Sequence, residues 1–75
     1  MLSLQQYAES RIKEYDDLDF VYNMLICNEI NYVFQVRNID RENYFYIVFY
    51  FRNGKPYGKV MTEERYKEIE NDLIL

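Results

Sequence analysis

An eight-residue run, YFYIVFYF over residues 44–51, most constrains how this chain can fold. Its aromatic and β-branched side chains favour a β-strand. A strand with one face in water alternates apolar and polar residues, whereas this run offers water nothing more polar than tyrosine hydroxyls. Left bare, such a segment would also be prone to aggregation. We therefore expect both faces of this strand to need cover from the chain's own helices or from another molecule.

Two-residue periodicity around this run predicts a three-stranded antiparallel β-meander. Apolar residues alternate over residues 30–37, the sequence DREN at 40–43 is typical of a turn, and Asn53-Gly54 is typical of a two-residue type I′ hairpin loop. The third strand is predicted over residues 55–61. Pro56 fits an edge strand, because its missing N–H would point away from the neighbouring strand.

The two predicted turns also fix a register for the strands. The hairpin loop places Phe49 opposite Gly58, and a four-residue loop at 40–43 places Ile39 opposite Tyr44 and Phe34 opposite Phe49. Both alignments agree on which residues share a face. One face is almost wholly apolar and forms the predicted core: Tyr32, Phe34, Val36, Ile47, Phe49, Phe51 and Val60.

Helical signals flank the meander on both sides. Ser3 and Gln6 have the form of a capping box, and apolar residues recur at helical spacing over residues 3–15. The acidic stretch at 16–19 either ends this helix or caps a second one, and residues 20–27 fit either a continued helix or a strand. At the other end, Thr62 is the predicted N-cap of a C-terminal helix. We therefore predict one α+β domain over residues 1–75: an N-terminal helix or two helices, a three-stranded antiparallel meander, and a C-terminal helix.

The second face of the predicted sheet is rich in residue types that are enriched at protein interfaces, namely tyrosine, arginine and methionine. Three kinds of cover remain open for it: one of the chain's own helices, plain solvent, or another molecule, as in a homodimer. The candidate interface residues on this face are Arg37, Tyr46, Val48, Tyr50, Tyr57, Lys59 and Met61.

Charge is unevenly distributed along the chain. Residues 1–19 and 62–75 each carry five acids against two basic residues, whereas residues 41–61 carry four basic residues against one acid. The acids either keep a small protein soluble or mimic nucleic-acid phosphates and so bind a basic, nucleic-acid-binding protein. The candidate partner-binding carboxylates are Glu9, Glu14, Asp16, Asp17, Asp19, Glu63, Glu64 and Glu68.

The residue inventory excludes the common catalytic and metal constellations. With no histidine and a single cysteine, Cys27, the chain lacks Ser-His-Asp and Cys-His arrangements and the common structural zinc sets. Two glycines do not make a phosphate-binding loop. We expect no catalytic residue, no cofactor and no metal. The N-terminus lacks the pattern of a signal peptide and the chain has no long apolar run, so we expect a cytoplasmic protein without membrane contact.

The order helix, three antiparallel strands, helix resembles the double-stranded RNA-binding domain, and residues 44–69 are similar to the sheet-plus-helix of AP2-type DNA readers. The resemblance implies nucleic-acid binding. In the RNA-binding family the last helix begins with a lysine cluster, whereas this chain has TEER at 62–65, so no functional residue is carried over. The small size, acidity and tyrosine content also resemble the host-directed inhibitors that phages and mobile elements encode.

Three functional hypotheses follow. The leading one is a non-enzymatic protein-binding module, an inhibitor or regulator that uses an acidic helical face against a basic nucleic-acid-binding protein, with the tyrosine face supporting a homodimer. The second is a nucleic-acid-binding module with cations on phosphates and tyrosines on bases: Arg37, Arg52, Lys55 and Lys59, with Tyr46, Tyr50 and Tyr57. The third is a purely structural homodimer subunit.

Overall fold

The computed structural model describes residues 3–28, 30–39 and 43–73, without the side chains of Asp17 and Leu73. The four strands of the described chain form one antiparallel sheet in the order β1-β2-β3-β4. The elements follow one another as helix α1 (Leu4–Ile12), a 3₁₀ segment (Lys13–Leu18), strands β1 (Phe20–Cys27), β2 (Asn31–Asn38), β3 (Tyr44–Arg52) and β4 (Lys55–Thr62), and helix α2 (Glu63–Leu73).

The predicted α+β class is confirmed, but the prediction of three strands is wrong, because residues 20–27 form a fourth strand, β1. This window is rich in the aromatic and branched residues that favour strands. Asp19 starts the strand by adopting a left-handed backbone conformation, with φ 57°, which aspartate tolerates better than most residues. Its carbonyl accepts a hydrogen bond of 2.9 Å from the amide of Ile39, which extends the β1–β2 ladder.

The N-terminal capping box is confirmed, with Ser3 and Gln6 exchanging both side-chain hydrogen bonds. The α-helix is shorter than predicted. It ends at Ile12, and the chain continues to Leu18 as a 3₁₀ segment. Of the two interpretations of the acidic stretch at 16–19, the structure has the first, since the helical course ends there.

The hairpin between β3 and β4 is confirmed in turn type and register. Asn53 and Gly54 both have positive φ, 53° and 77°, as a type I′ loop requires. Phe49 lies opposite Gly58, as predicted. At the end of β4, the Thr62 hydroxyl accepts a hydrogen bond from the amide of Arg65, which confirms Thr62 as the cap of α2.

The predicted register between β2 and β3 is wrong by two residues. Phe34 lies opposite Ile47, and Tyr44 lies opposite Arg37 instead of Ile39. The reason is a longer connection, because six residues separate the paired Arg37 and Tyr44 where the prediction allowed four. A shift of two preserves every side chain's face. Of the predicted turn at 40–43, residues 40–42 lie outside the described residues.

The two helices pack on opposite faces of the sheet, so the sheet separates two hydrophobic cores. On the α1 face, Leu4, Ala8 and Ile12 cover the apolar side chains of β2 and β3. The predicted core members Phe51 and Val60 are exposed on this face. Phe51 lies beyond the last β2–β3 pair, next to the hairpin loop, and Val60 lies on the edge strand β4. The α2-face core is smaller and contains Val33, Tyr46, Val48, Met61 and Tyr66.

Candidate partner-binding surfaces

Helix α2 covers the middle of the tyrosine-rich face. Tyr46, Val48 and Met61 are buried in the α2-face core. Tyr66 of α2 stacks on Tyr46, with ring centroids 4.2 Å apart and planes inclined by 10°. The sequence left three kinds of cover open for this face. Over Tyr46, Val48 and Met61, the cover is the chain's own helix α2.

The other four candidate interface residues lie around this covered centre. Tyr57 and Lys59 are exposed, while Arg37 and Tyr50 are half-buried. Tyr50 and Tyr57 stack on each other at 6.3 Å, near the hairpin loop. The Arg37 guanidinium lies 5.9 Å from the ring centroid of Tyr44, towards the other end of the sheet. The seven predicted residues therefore do not form one continuous exposed surface.

Burial under α2 affects the pKa of Tyr66 and the hydrogen bonding of Tyr46. Desolvation beneath the sheet–helix interface, reinforced by the nearby Glu70 carboxylate, raises the pKa of Tyr66. The hydroxyl of Tyr46 accepts a hydrogen bond of 3.1 Å from the Gln35 side chain, so its polar end is satisfied at the margin of the core. These tyrosines thus serve packing.

The predicted carboxylates divide between the two faces of the sheet. Glu9, Glu14, Asp16, Asp17 and Asp19 belong to α1, the 3₁₀ segment and the turn after it, whereas Glu63, Glu64 and Glu68 belong to α2. The two groups cannot form a single helical face, because the sheet lies between the helices.

Three of these carboxylates form ion pairs with a basic residue three or four positions away in the chain. Glu14 lies 3.5 Å from the Arg11 guanidinium, Glu68 lies 2.7 Å from that of Arg65, and Glu63 lies 3.4 Å from the Lys67 ammonium. All three pairs are solvent-exposed, so each contributes little to stability. Their charges are nevertheless partly neutralised and are less available to a partner.

Four of the carboxylates, including the paired Glu63, lie at one end of the sheet, where β1 begins and β4 ends. Asp16 and Asp19 approach this end from the 3₁₀ segment, and Glu63 and Glu64 approach it from the first turn of α2. We call these four residues the acidic end. Asp16 and Asp19 precede the edge strand β1, and Glu63 and Glu64 follow the edge strand β4. These two strands are about 14 Å apart, from three inter-strand spacings of about 4.8 Å.

Within the acidic end, Asp19 and Glu64 form no ion pair with a basic residue of the described chain. Asp16 accepts a hydrogen bond of 2.9 Å from the hydroxyl of Tyr22. That bond raises the pKa of Tyr22, because ionising the phenol would remove the donor and place two negative charges together. Asp16 is thereby held in place on the exposed surface.

Basic residues occupy the opposite end of the sheet. Arg52 and Lys55 face each other across the hairpin loop, and both are exposed. Strand β3 has 9 residues, so the hairpin loop and the acidic end are about 30 Å apart at about 3.4 Å per residue. Since the Debye length is about 10 Å at 0.1 M salt, the two ends act on solutes independently. The hairpin tip is therefore basic, while the half-buried Arg37 lies at the acidic end.

Two further groups have shifted pKa values on the α1 face. A hydrogen bond with the Cys27 side chain, together with burial, raises the pKa of Tyr32 to about 12. The pKa of Arg11 is raised, chiefly by its contact with Tyr7, over whose ring the guanidinium lies at 5.3 Å. Neither group faces the acidic end.

The strand β1 is a surface that sequence reasoning missed. It is the first edge of the sheet, and Val21, Met24 and Leu25 are exposed on it. The signal was present as eight consecutive uncharged residues, FVYNMLIC. It was not interpreted as an edge because the same window also fits a helix.

In residues 3–28, 30–39 and 43–73, no three acidic or cysteine side chains cluster in a way that would hold a metal ion. Neither helix of the described chain is long and apolar enough to cross a membrane. Comparison with known proteins finds no match: no family model fits the chain, and no curated protein or solved structure is significantly similar to it.

Proposed function

We propose that this chain is a non-enzymatic, cytoplasmic binding module that inhibits or regulates a basic nucleic-acid-binding protein through its acidic end. The observation that carries the proposal is the location of Asp16, Asp19, Glu63 and Glu64 at the same end of the sheet. A nucleic-acid-binding protein presents lysines and arginines to phosphates, and carboxylates at its surface compete for the same cations.

The proposal favours the acidic end over the helical faces, for an electrostatic reason. Glu14 and Glu68 each have an arginine partner three residues earlier in the chain, so a new partner would have to displace that arginine. Asp19 and Glu64 have no such competitor among the described basic residues. Both side chains are exposed and open to an incoming cation.

The test compares two variants with equal net charge. Asp19→Asn with Glu64→Gln removes two carboxylates of the acidic end, and Glu14→Gln with Glu68→Gln removes two that are already paired. Asparagine preserves the left-handed conformation that residue 19 needs. Each tagged variant captures proteins from a bacterial lysate at low salt, and captured proteins are eluted by raising the salt.

We expect wild type and the Glu14/Glu68 variant to capture a basic protein that high salt elutes. The Asp19/Glu64 variant should not capture it. The purified partner is then bound to a labelled DNA duplex, and addition of this chain should release the duplex, as measured by fluorescence anisotropy. Equal capture by all three proteins would refute binding through the acidic end. Failure to release the duplex would refute inhibition of nucleic-acid binding.

A further inference from the structure

We propose that the free edge of β1 pairs with β1 of a second copy of this chain, antiparallel and about a two-fold axis, so that two four-stranded sheets join into one. This interface is distinct from the tyrosine-rich face, whose centre α2 already covers. It also does not depend on the acidic end or on the partner proposed for it.

The backbone of β1 presents hydrogen-bonding groups to the open edge. The amide of Ile39 donates to the carbonyl of Asp19, so these two residues form a hydrogen-bonded pair of the antiparallel ladder. Such pairs alternate with pairs whose N–H and C=O groups point away from the neighbouring strand. Phe20, Tyr22 and Met24 therefore direct their amides and carbonyls outward, where another strand can bind them.

The side chains of β1 are compatible with pairing between two copies of the strand. None of its eight residues is charged, so a two-fold axis brings no like charges together within the strand. Met24 is 55% exposed, Leu25 47% and Val21 41%, which leaves apolar surface uncovered on both faces of the edge. The other edge of the sheet, β4, differs in kind because it carries Lys55, Pro56 and Lys59. Lysine and proline are the usual protection of an edge strand against pairing.

The regular part of β1 sets the register of the proposed pair. A bulge interrupts the ladder between Met24 and Ile26, so residues 20–24 are the regular segment, and Tyr22 is its centre. The two-fold axis then places Tyr22 opposite its copy and Phe20 opposite Met24. This register forms about six hydrogen bonds between the chains, two from each hydrogen-bonded pair. It also places a methionine sulfur against a phenylalanine ring on each side of the axis.

Charged groups lie beside this edge on the α1 face, where Glu9 and Lys13 line the groove between α1 and β1, and Asp16 binds the Tyr22 hydroxyl. The two copies bring their Asp16 carboxylates within about one Debye length of each other. Added salt therefore screens a repulsion and should not weaken the dimer.

The contact is small, and this sets its strength. Five paired residues span about 17 Å, and such an edge buries less than the roughly 800 Å² per partner of a standard interface. We expect a dissociation constant in the micromolar range.

Sedimentation equilibrium between about 1 and 500 µM, in reducing buffer so that the exposed Cys27 forms no disulfide, tests the proposal. Wild type should show a monomer–dimer equilibrium that persists at 0.5 M NaCl. Met24→Lys should weaken dimerisation at least tenfold. The matched control is Val60→Lys, since Val60 is 59% exposed, lies on the opposite edge and faces the same side of the sheet; it should leave dimerisation unchanged. A monomer at all concentrations, a dimer lost at high salt, or a dimer insensitive to Met24→Lys would overturn the proposal.

Hydrogen exchange on the wild-type chain gives a second test that needs no variant. The amides of Tyr22 and Met24 should exchange more slowly as the protein concentration rises. The amide of Val60 also points away from its neighbouring strand, by alternation from the Arg52–Lys55 pair that closes the hairpin loop. It should exchange at the same rate at every concentration. Equal concentration dependence at both edges, or none at Tyr22 and Met24, would also overturn the proposal.

Discussion

Replacing Gly58 with alanine should destabilise the fold through a steric clash with a single aromatic ring. Gly58 lies opposite Phe49 in the β3–β4 ladder. A Cβ atom on Gly58 would lie 2.7 Å from Cε1 of Phe49 and 2.9 Å from its Cδ1. Phe49 is almost fully buried, and its ring makes edge-to-face contacts with Tyr7 at 6.0 Å and Phe34 at 5.9 Å. The ring therefore cannot move aside without disturbing the α1-face core.

The expected magnitude follows from two opposing effects. Overpacking a well-filled core costs about 1–3 kcal/mol. Replacing a glycine with alanine lowers the conformational entropy of the unfolded chain, which stabilises the fold by about 0.4–1 kcal/mol. This gain applies at Gly58 because its φ is not positive, so alanine can adopt the same backbone conformation. The net loss is about 1–2 kcal/mol, against a total stability of about 4–11 kcal/mol for a chain of this length. For a domain of this size, the loss lowers the melting temperature by about 5–15 °C.

Urea denaturation followed by circular dichroism measures this loss, and a double-mutant cycle assigns it to the ring. In a Phe49→Leu background, Gly58→Ala should cost about 1 kcal/mol less than in wild type, because the branched leucine leaves room for the added methyl group. Gly54→Ala is the control. Gly54 has nothing near its missing Cβ but has φ 77°, so alanine there should cost about 1 kcal/mol through backbone strain alone. Phe49→Leu should not rescue it. Equal costs of Gly58→Ala in both backgrounds would refute the steric explanation.

Three further predictions concern tyrosine ionisation, the start of β1 and the α2 interface. Tyr32 and Tyr66 have raised pKa values in the folded state, so the unfolded chain loses these protons first. The stability that they contribute should be complete below about pH 10 and fall as the pH rises towards 12, and Tyr32→Phe should reduce that fall in an alkaline urea titration. At the left-handed Asp19, Asp19→Gly should leave the melting temperature nearly unchanged, whereas Asp19→Val should destabilise by about 1–2 kcal/mol; equal effects would contradict the backbone argument. Tyr66→Ala should cost about 3 kcal/mol or more in urea denaturation, whereas Tyr66→Phe, which retains the stack on Tyr46, should cost less than about 1 kcal/mol; similar losses would show that the ring is not what holds α2.

The parts of the fold that local chemistry determines were predictable from the sequence. The Ser3–Gln6 capping box and the Asn53-Gly54 loop each depend on a few adjacent residues, and both are confirmed. The loop then fixed the β3–β4 register without error. Alternation also assigned Phe34 and Phe49 correctly to one face, because side-chain parity survives a shift of two residues.

The errors lie where local pattern does not decide the outcome. Residues 20–27 fit a helix or a strand by local pattern, and their state depends on β2 having a free edge for them. The β2–β3 register depends on the length of their connection, and Arg37 opposite Tyr44 leaves six residues between the paired positions where four were predicted. The candidate carboxylates were identifiable as charges, but their division between two faces depends on which side of the sheet each helix packs.

The placement of α1 and α2 on opposite sides of one sheet has a dynamic consequence. Each helix has its own set of buried partners, so the small α2-face core can open while the larger α1-face core persists. When α2 detaches, Tyr46, Val48 and Met61 return to solvent. An open form would therefore expose apolar surface of β3 and β4 that α2 covers in the folded structure.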